Sequence, residues 1–185
     1  PTEYGFRGNA QNLDLNRDFV KCDSKNAQSF AMLLHEIDPD VYVETHVSNG
    51  ADYQYTMTYL STQPDKLNYA MGDYLRNTFN PALEAKMKAK GEEMVPYVNH
   101  HGGPLKDMYS TFYDSPRYSS GLTTLHHIYG FITETHMLKP YKQRVEATYT
   151  YLLSTLEFCA ENALDIIQSR KQQKNAVELN TTYAL

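Results

Sequence analysis

Two stretches constrain this chain more than anything else in it: VYVETHV, residues 41 to 47, and IYGFITETH, residues 128 to 136. The first alternates and is rich in β-branched residues, which suit a pleated surface, and the second has the short apolar pattern of a buried strand, so both stretches read as strands. The first breaks at Ser48-Asn49-Gly50 and delivers His46 to a loop; the second carries Glu134.

Helical patterns fill the intervals. Residues 24 to 36 read as a helix with a serine or aspartate cap, Ala27, Phe30, Leu33 and Leu34 on its apolar side, and a stop at Asp38-Pro39-Asp40. YQYTMTYL, residues 53 to 60, reads as a further strand, and Pro64 opens a helix reaching about Asn77. Asn80 caps the next, with Pro81 at its first position and Gly91 past its end; Glu84, Lys86, Lys88 and Lys90 make it largely solvent-facing. Residues 92 to 127 are polar and tyrosine-rich, and read as a long loop of the kind that faces substrate. One long amphipathic helix is expected from Gln143 to about Lys171, its apolar side formed by Ala147, Tyr151, Leu152, Leu156, Phe158, Cys159, Ala163 and Ile166. NAVELNTTYAL at the end reads as a docked tail. Strands alternating with helices define an α/β class, and 185 residues without a linker-like stretch read as one domain, 1–185.

Charge and hydropathy exclude several partners. The formal charge of −5 is spread along the chain, with neither a basic stripe for nucleic acid nor a basic face for anionic membranes. No apolar run reaches the roughly 18 to 20 residues that span a bilayer. PTEYGFRG lacks the layout of a signal peptide. Cys22 and Cys159 read either as free buried thiols or as one disulfide.

The densest chemistry lies in RGNAQNLDLNRDF, residues 7 to 19. A guanidinium grips a carboxylate through two parallel hydrogen bonds and an asparagine amide adds a donor, so Asn16-Arg17 suits a carboxylate-bearing ligand. The competing reading is that Arg17 pairs with Asp14 or Asp18 and holds a loop. His46, at a strand end, is either a site residue or a structural, hydrogen-bonded histidine. Glu134, on a desolvating strand, is either a general base with a raised pKa or one half of a salt bridge with a lysine or arginine.

Taken together these motifs resemble the zinc metallocarboxypeptidases, particularly the regulatory, carboxypeptidase D/E-like branch. Arg7 stands nine residues before Asn16, as in that branch's arginine to Asn-Arg signature. YVETHVSNG is similar to the strand ending in the family's single zinc histidine, and GFITETH to the strand ending in its catalytic glutamate. The resemblance covers residues 7 to 136 and implies a mixed central sheet flanked by helices. It implies that Arg7 polarises the scissile carbonyl, Asn16 and Arg17 hold the terminal carboxylate of a peptide, His46 binds Zn2+, Glu134 activates water, and a tyrosine, Tyr118 first and Tyr113 second, closes on the substrate. Extracytoplasmic location follows the family's habit.

The match has a gap. Catalytic zinc takes three protein ligands, and the family draws two from an upstream His-x-x-Glu, absent from these residues. His35-Glu36-Ile37-Asp38 is the nearest spacing, and His35 reads as a surface residue. Neither His100-His101 nor His126-His127 reads as a metal pair. The remaining ligands are expected upstream of Pro1, in a longer parent chain whose domain would be incomplete here at its N-terminus. The expected activity is removal of C-terminal residues from peptides by the parent, with the fragment alone inactive; the alternative is a noncatalytic peptide- or carboxylate-binding module.

Overall fold

A computed structural model of the chain describes residues 7–49, 51–67, 69–101 and 108–180, and only the backbone of Tyr69, His100, His101 and Met108. Pro1, Gly50, the His100-His101 side chains and the last five residues of the expected tail lie outside this description.

Helix α1 (Lys25–Ile37) begins where Ser24 accepts the Ala27 amide and ends at Asp38 in the left-handed conformation. It buries Ala27 and Leu34, whereas Leu33, one residue off that face, is exposed. Strand β1 (Val41–Val47) follows as expected. Strand β2 spans Met57–Ser61, not 53 to 60, because its ladder with the later strand starts at Met57 opposite Thr135, where that strand ends.

After a 3-10 turn at Pro64–Lys66, α2 (Tyr69–Tyr74) runs through a π-helical turn, Leu75–Phe79, directly into α3 (Asn80–Ala89). The expected break at Asn80 is absent: that residue is helical and its side chain donates to Ser61 Oγ at 3.0 Å. Met71, Leu75, Phe79, Leu83 and Met87 are all fully buried at four-residue intervals. A strict four-residue repeat drifts around a 3.6-residue helix, and one wider turn brings the stripe back toward the core. Pro81, lacking an N–H, suits the turn where the bonding pattern changes. Gly91, at φ +83°, ends the run.

The described residues between 92 and 127 carry regular structure where a loop was expected. They form β3 (Met94–Pro96), β4 (Val98–His101), β5 (Met108–Thr111) and α4 (Ser119–Leu125), with β4 and β5 paired as a separate antiparallel ribbon. Strand β6 (Tyr129–Thr135) follows. The expected single C-terminal helix is two, α5 (Tyr141–Glu161) and α6 (Ala163–Leu179). They part at Asn162, which leaves helical geometry and turns its amide onto the Phe158 carbonyl at 2.9 Å. Leu152, Leu156 and Ala163, expected on the apolar side, are exposed, and the first part of the expected tail is helical.

The architecture is mixed α/β. Four strands lie in the order β1-β6-β2-β3, with β1 parallel to β6, β6 antiparallel to β2, and β2 parallel to β3. On one face Val41, Val43, Tyr129, Phe131, Met57 and Tyr59 join the buried side chains of α2, α3, α5 and α6. On the other, Leu34 of α1, Leu122 of α4 and Ile128 pack with Phe30 and Tyr42. Helix α4 lies so close to β6 that a Cβ at Gly130 would meet Thr123 Oγ1, Thr62 Oγ1 and Ser120 Cα.

Arg170 of α6, buried to 5% exposure, fastens the opposite end of these strands. Its guanidinium donates to the carbonyls of His127 and Asp38 and pairs with the carboxylates of Asp38 and Asp40. Cys22 and Cys159 are free, half-buried thiols. Among the described residues no helix is long and apolar enough to cross a membrane.

Candidate functional site

The parallel register of β1 and β6 sets His46 beside Glu134. Partners in a parallel ladder project to the same face, so the two side chains emerge together near the C-terminal ends of their strands, on the face shared with α4. Thr58 of β2 donates to the Glu134 carbonyl at 3.0 Å, and Thr135 donates to the His46 carbonyl at 3.1 Å, which fixes both backbones.

The imidazole sits between two carboxylates. His46 Nε2 is 3.0 Å from Glu44 Oε1 and Nδ1 is 3.5 Å from Glu134 Oε1. Burial works against the imidazolium, but the hydrogen bonds and charges of Glu134 and Glu44 outweigh it and push the pKa up to about 9. Glu44 is itself held by the Ser119 hydroxyl at the start of α4. Glu134 therefore faces a histidine, not the lysine or arginine of the competing reading.

The arginine-rich segment folds onto the same place. Asp14 accepts the Asn16 amide at 3.0 Å, capping a 3-10 turn over Leu15–Arg17, and takes Arg7 Nε at 2.7 Å. Burial opposes its charge, yet Arg7 and the Asn16 amide prevail and hold its carboxyl below the usual range. Arg17, expected either to clamp a ligand or to pair with Asp14 or Asp18, pairs with neither; it donates to the Asn16 carbonyl at 2.8 Å and lies 4.8 Å over the Tyr118 ring. Asp18 instead accepts the amides of Asp23 and Ser24, tying the segment to the start of α1.

A cavity of about 270 Å³ joins these pieces. Arg7, Asn16, Arg17, His46, Tyr118 and Glu134 all line it, six residues from four separated stretches of the sequence. Asn16 Oδ1 is buried there without a partner, and a rotation of the carboxamide presents a donor instead. Tyr97, Asn99 and Phe112 complete part of the wall, and Phe112 meets Tyr118 edge-on. These, with Glu44 and Ser119, are residues that sequence reasoning missed; the tyrosine-rich composition of 92 to 127 was the signal for those in that stretch, and for Glu44 it was the strand alternation that puts it on the face of His46. Tyr113 is 72% exposed over Lys66, away from the cavity wall.

The donors available for a metal are few. Among the described residues no group of three His, Cys, Asp or Glu side chains is arranged to hold an ion. His46 offers one imidazole, with a carboxylate at each ring nitrogen, against the three ligands of a catalytic zinc. These residues alone do not make a zinc site. His35 is exposed, as is His126, while His127 is half-buried.

No family model, curated protein or solved structure matches this chain.

Proposed function

We propose that this chain is the substrate-clamping and general-base portion of a metallocarboxypeptidase, which hydrolyses the last residue from a peptide with a free C-terminal carboxylate. The observation that carries the reading is the convergence of Arg7, Asn16, Arg17, Tyr118, His46 and Glu134 on one cavity. Arg17 and the Asn16 carboxamide hold the terminal carboxylate by charge-assisted hydrogen bonds. Arg7, kept at the rim by Asp14, supplies positive charge where the carbonyl oxygen becomes an oxyanion. Glu134 takes a proton from the attacking water and returns it to the leaving nitrogen. Tyr118 covers the bound end, its ring already against Arg17. His46 would be this chain's share of a zinc site whose other ligands lie in polypeptide beyond the described residues, and the chain alone is expected to show no robust hydrolysis.

A second reading, a noncatalytic carboxylate-binding module, is favoured by one feature: both ring nitrogens of His46 are engaged by protein carboxylates. Glu134→Gln separates the two, because under the first it abolishes turnover of the complete protein while leaving peptide binding intact.

Calorimetry with a short peptide as its free acid and as its C-terminal amide tests the shared part. The acid is expected to bind the 185-residue chain at least about tenfold more tightly than the amide, about 1.4 kcal/mol, and Arg17→Ala to erase the difference. Equal binding of acid and amide by the unmodified chain would remove the clamp, and the proposal with it.

A further inference from the structure

The strand register lays an apolar floor beside the candidate clamp. Side chains alternate along β6, so Ile132 projects to the same face as Glu134, and Leu60 of β2 stands directly across from Ile132. Both line the cavity, Ile132 fully buried and Leu60 half-buried. Phe112 and Tyr97 add aromatic wall. Phe112 is tied to the clamp through ring contacts: its centroid lies 4.7 Å from that of Tyr118, edge-on, and Arg17 lies 4.8 Å over the Tyr118 ring. Its carbonyl accepts Gln63 Nε2 at 3.1 Å, which fixes the wall from behind. A carboxylate held by Arg17 and Asn16 thus has hydrocarbon within the same cavity for the side chain that accompanies it.

The charges around this floor decide what that side chain can be. Among the described residues that line the cavity, the one carboxylate is Glu134, and it faces His46 Nδ1 at 3.5 Å. Arg7 and Arg17 line it as well, while Asn49 and Asn99 are neutral. A lysine or arginine side chain on the floor would bring a cation into hydrocarbon, beside two guanidiniums and with no free anion to meet it. An aspartate or glutamate side chain would lose its water against Leu60, Ile132 and Phe112, and would compete with the terminal carboxylate for Arg17; Arg7 is already paired with Asp14. An uncharged apolar side chain gains from the same burial and carries neither cost.

We propose that the site selects peptides whose C-terminal residue is aliphatic or aromatic, seats that side chain on Leu60 and Ile132 beside Phe112, and discriminates against C-terminal lysine, arginine, aspartate and glutamate. The inference rests on the carboxylate clamp proposed above, which the catalytic and the noncatalytic reading share. Leu60 is the residue that sets the preference and can be changed, since it is half-buried at the floor, whereas Ile132 is fully enclosed in the sheet.

Calorimetry on the 185-residue chain tests it with peptides identical except for a last residue of leucine, phenylalanine, lysine or glutamate, each as free acid and as C-terminal amide. The leucine and phenylalanine acids are expected to bind at least about tenfold more tightly than the lysine and glutamate acids, and all four amides weakly and alike. Leu60→Asp places a carboxylate on the floor and is expected to turn the preference to the lysine acid by about tenfold, with acid still favoured over amide. Leu60→Asn, of the same size without the charge, should lose the leucine preference and gain none for lysine. Acids that all bind better than amides but equally among themselves, or best with lysine or glutamate at the end, would overturn the side-chain inference and leave the clamp standing. No acid-over-amide preference with any last residue would overturn the clamp and the inference together. Leucine binding unchanged in both Leu60 variants would also overturn the inference, because the side chain would then sit elsewhere. The series on the unmodified chain decides the preference even where a variant does not fold.

Discussion

Asp14 joins two parts of the candidate site, since one carboxylate both caps the Asn16-Arg17 turn and holds Arg7 at the rim. Removing it in Asp14→Ala should weaken binding of a free-acid peptide about tenfold, while unfolding free energy changes by less than about 1 kcal/mol because the ion pair is largely exposed. Calorimetry paired with urea denaturation checks both halves. His46 makes a prediction in pH. Its folded pKa is raised, so the stability it contributes is fully present below its ordinary value of 6.5 and is lost as pH rises through about 9. An NMR titration of the ring should find its midpoint near 9, and Glu134→Gln should bring it down toward 6.5. A midpoint near 6.5 in the unmodified chain would mean that the two carboxylates do not hold the imidazolium. The identities of His46 and Glu134 as site candidates were legible from strand ends; that both nitrogens of the imidazole are engaged was not, because it depends on the rotamer of Glu44, which also meets Ser119 from a distant part of the chain.

Among the elements, α4 is the one whose placement decides the cavity wall, and Gly130 decides α4. Gly130→Ala puts a methyl group into Thr123, Thr62 and the backbone of Ser120, so α4 must move off β6 at a cost of about 1–3 kcal/mol. Because Tyr118 and Ser119 begin that helix, the shift should also weaken free-acid peptide binding, which distinguishes it from a purely local loss of packing. The denaturation midpoint and the binding isotherm together measure this. Strand β1 was readable because period-two alternation is a local property, and β6 because a short apolar run of a buried strand is one too. The continuous run through α2, the π-helical turn and α3 was not: Asn-Pro is a start signal locally, and only the tertiary demand on Met71, Leu75, Phe79, Leu83 and Met87 overrides it. Strand order likewise lies outside any local pattern, since β6 inserts between β1 and β2, which precede it in the chain.

For the molecule as a whole, the chemistry and its support sit at opposite ends of the same two strands. Arg170→Met removes the donors for the His127 and Asp38 carbonyls and the partner of two carboxylates, and should cost about 3 kcal/mol of unfolding free energy. Chemical denaturation measures it; a change under about 0.5 kcal/mol, typical of an ordinary surface substitution, would contradict the clamp. Arg170 comes late in the chain, and every residue lining the cavity has been synthesised before it. The nascent polypeptide thus carries all its candidate site residues for some time without the fastening at the far end of their strands, and a stop codon just short of that arginine would yield a product that keeps every one of those residues and lacks that fastening.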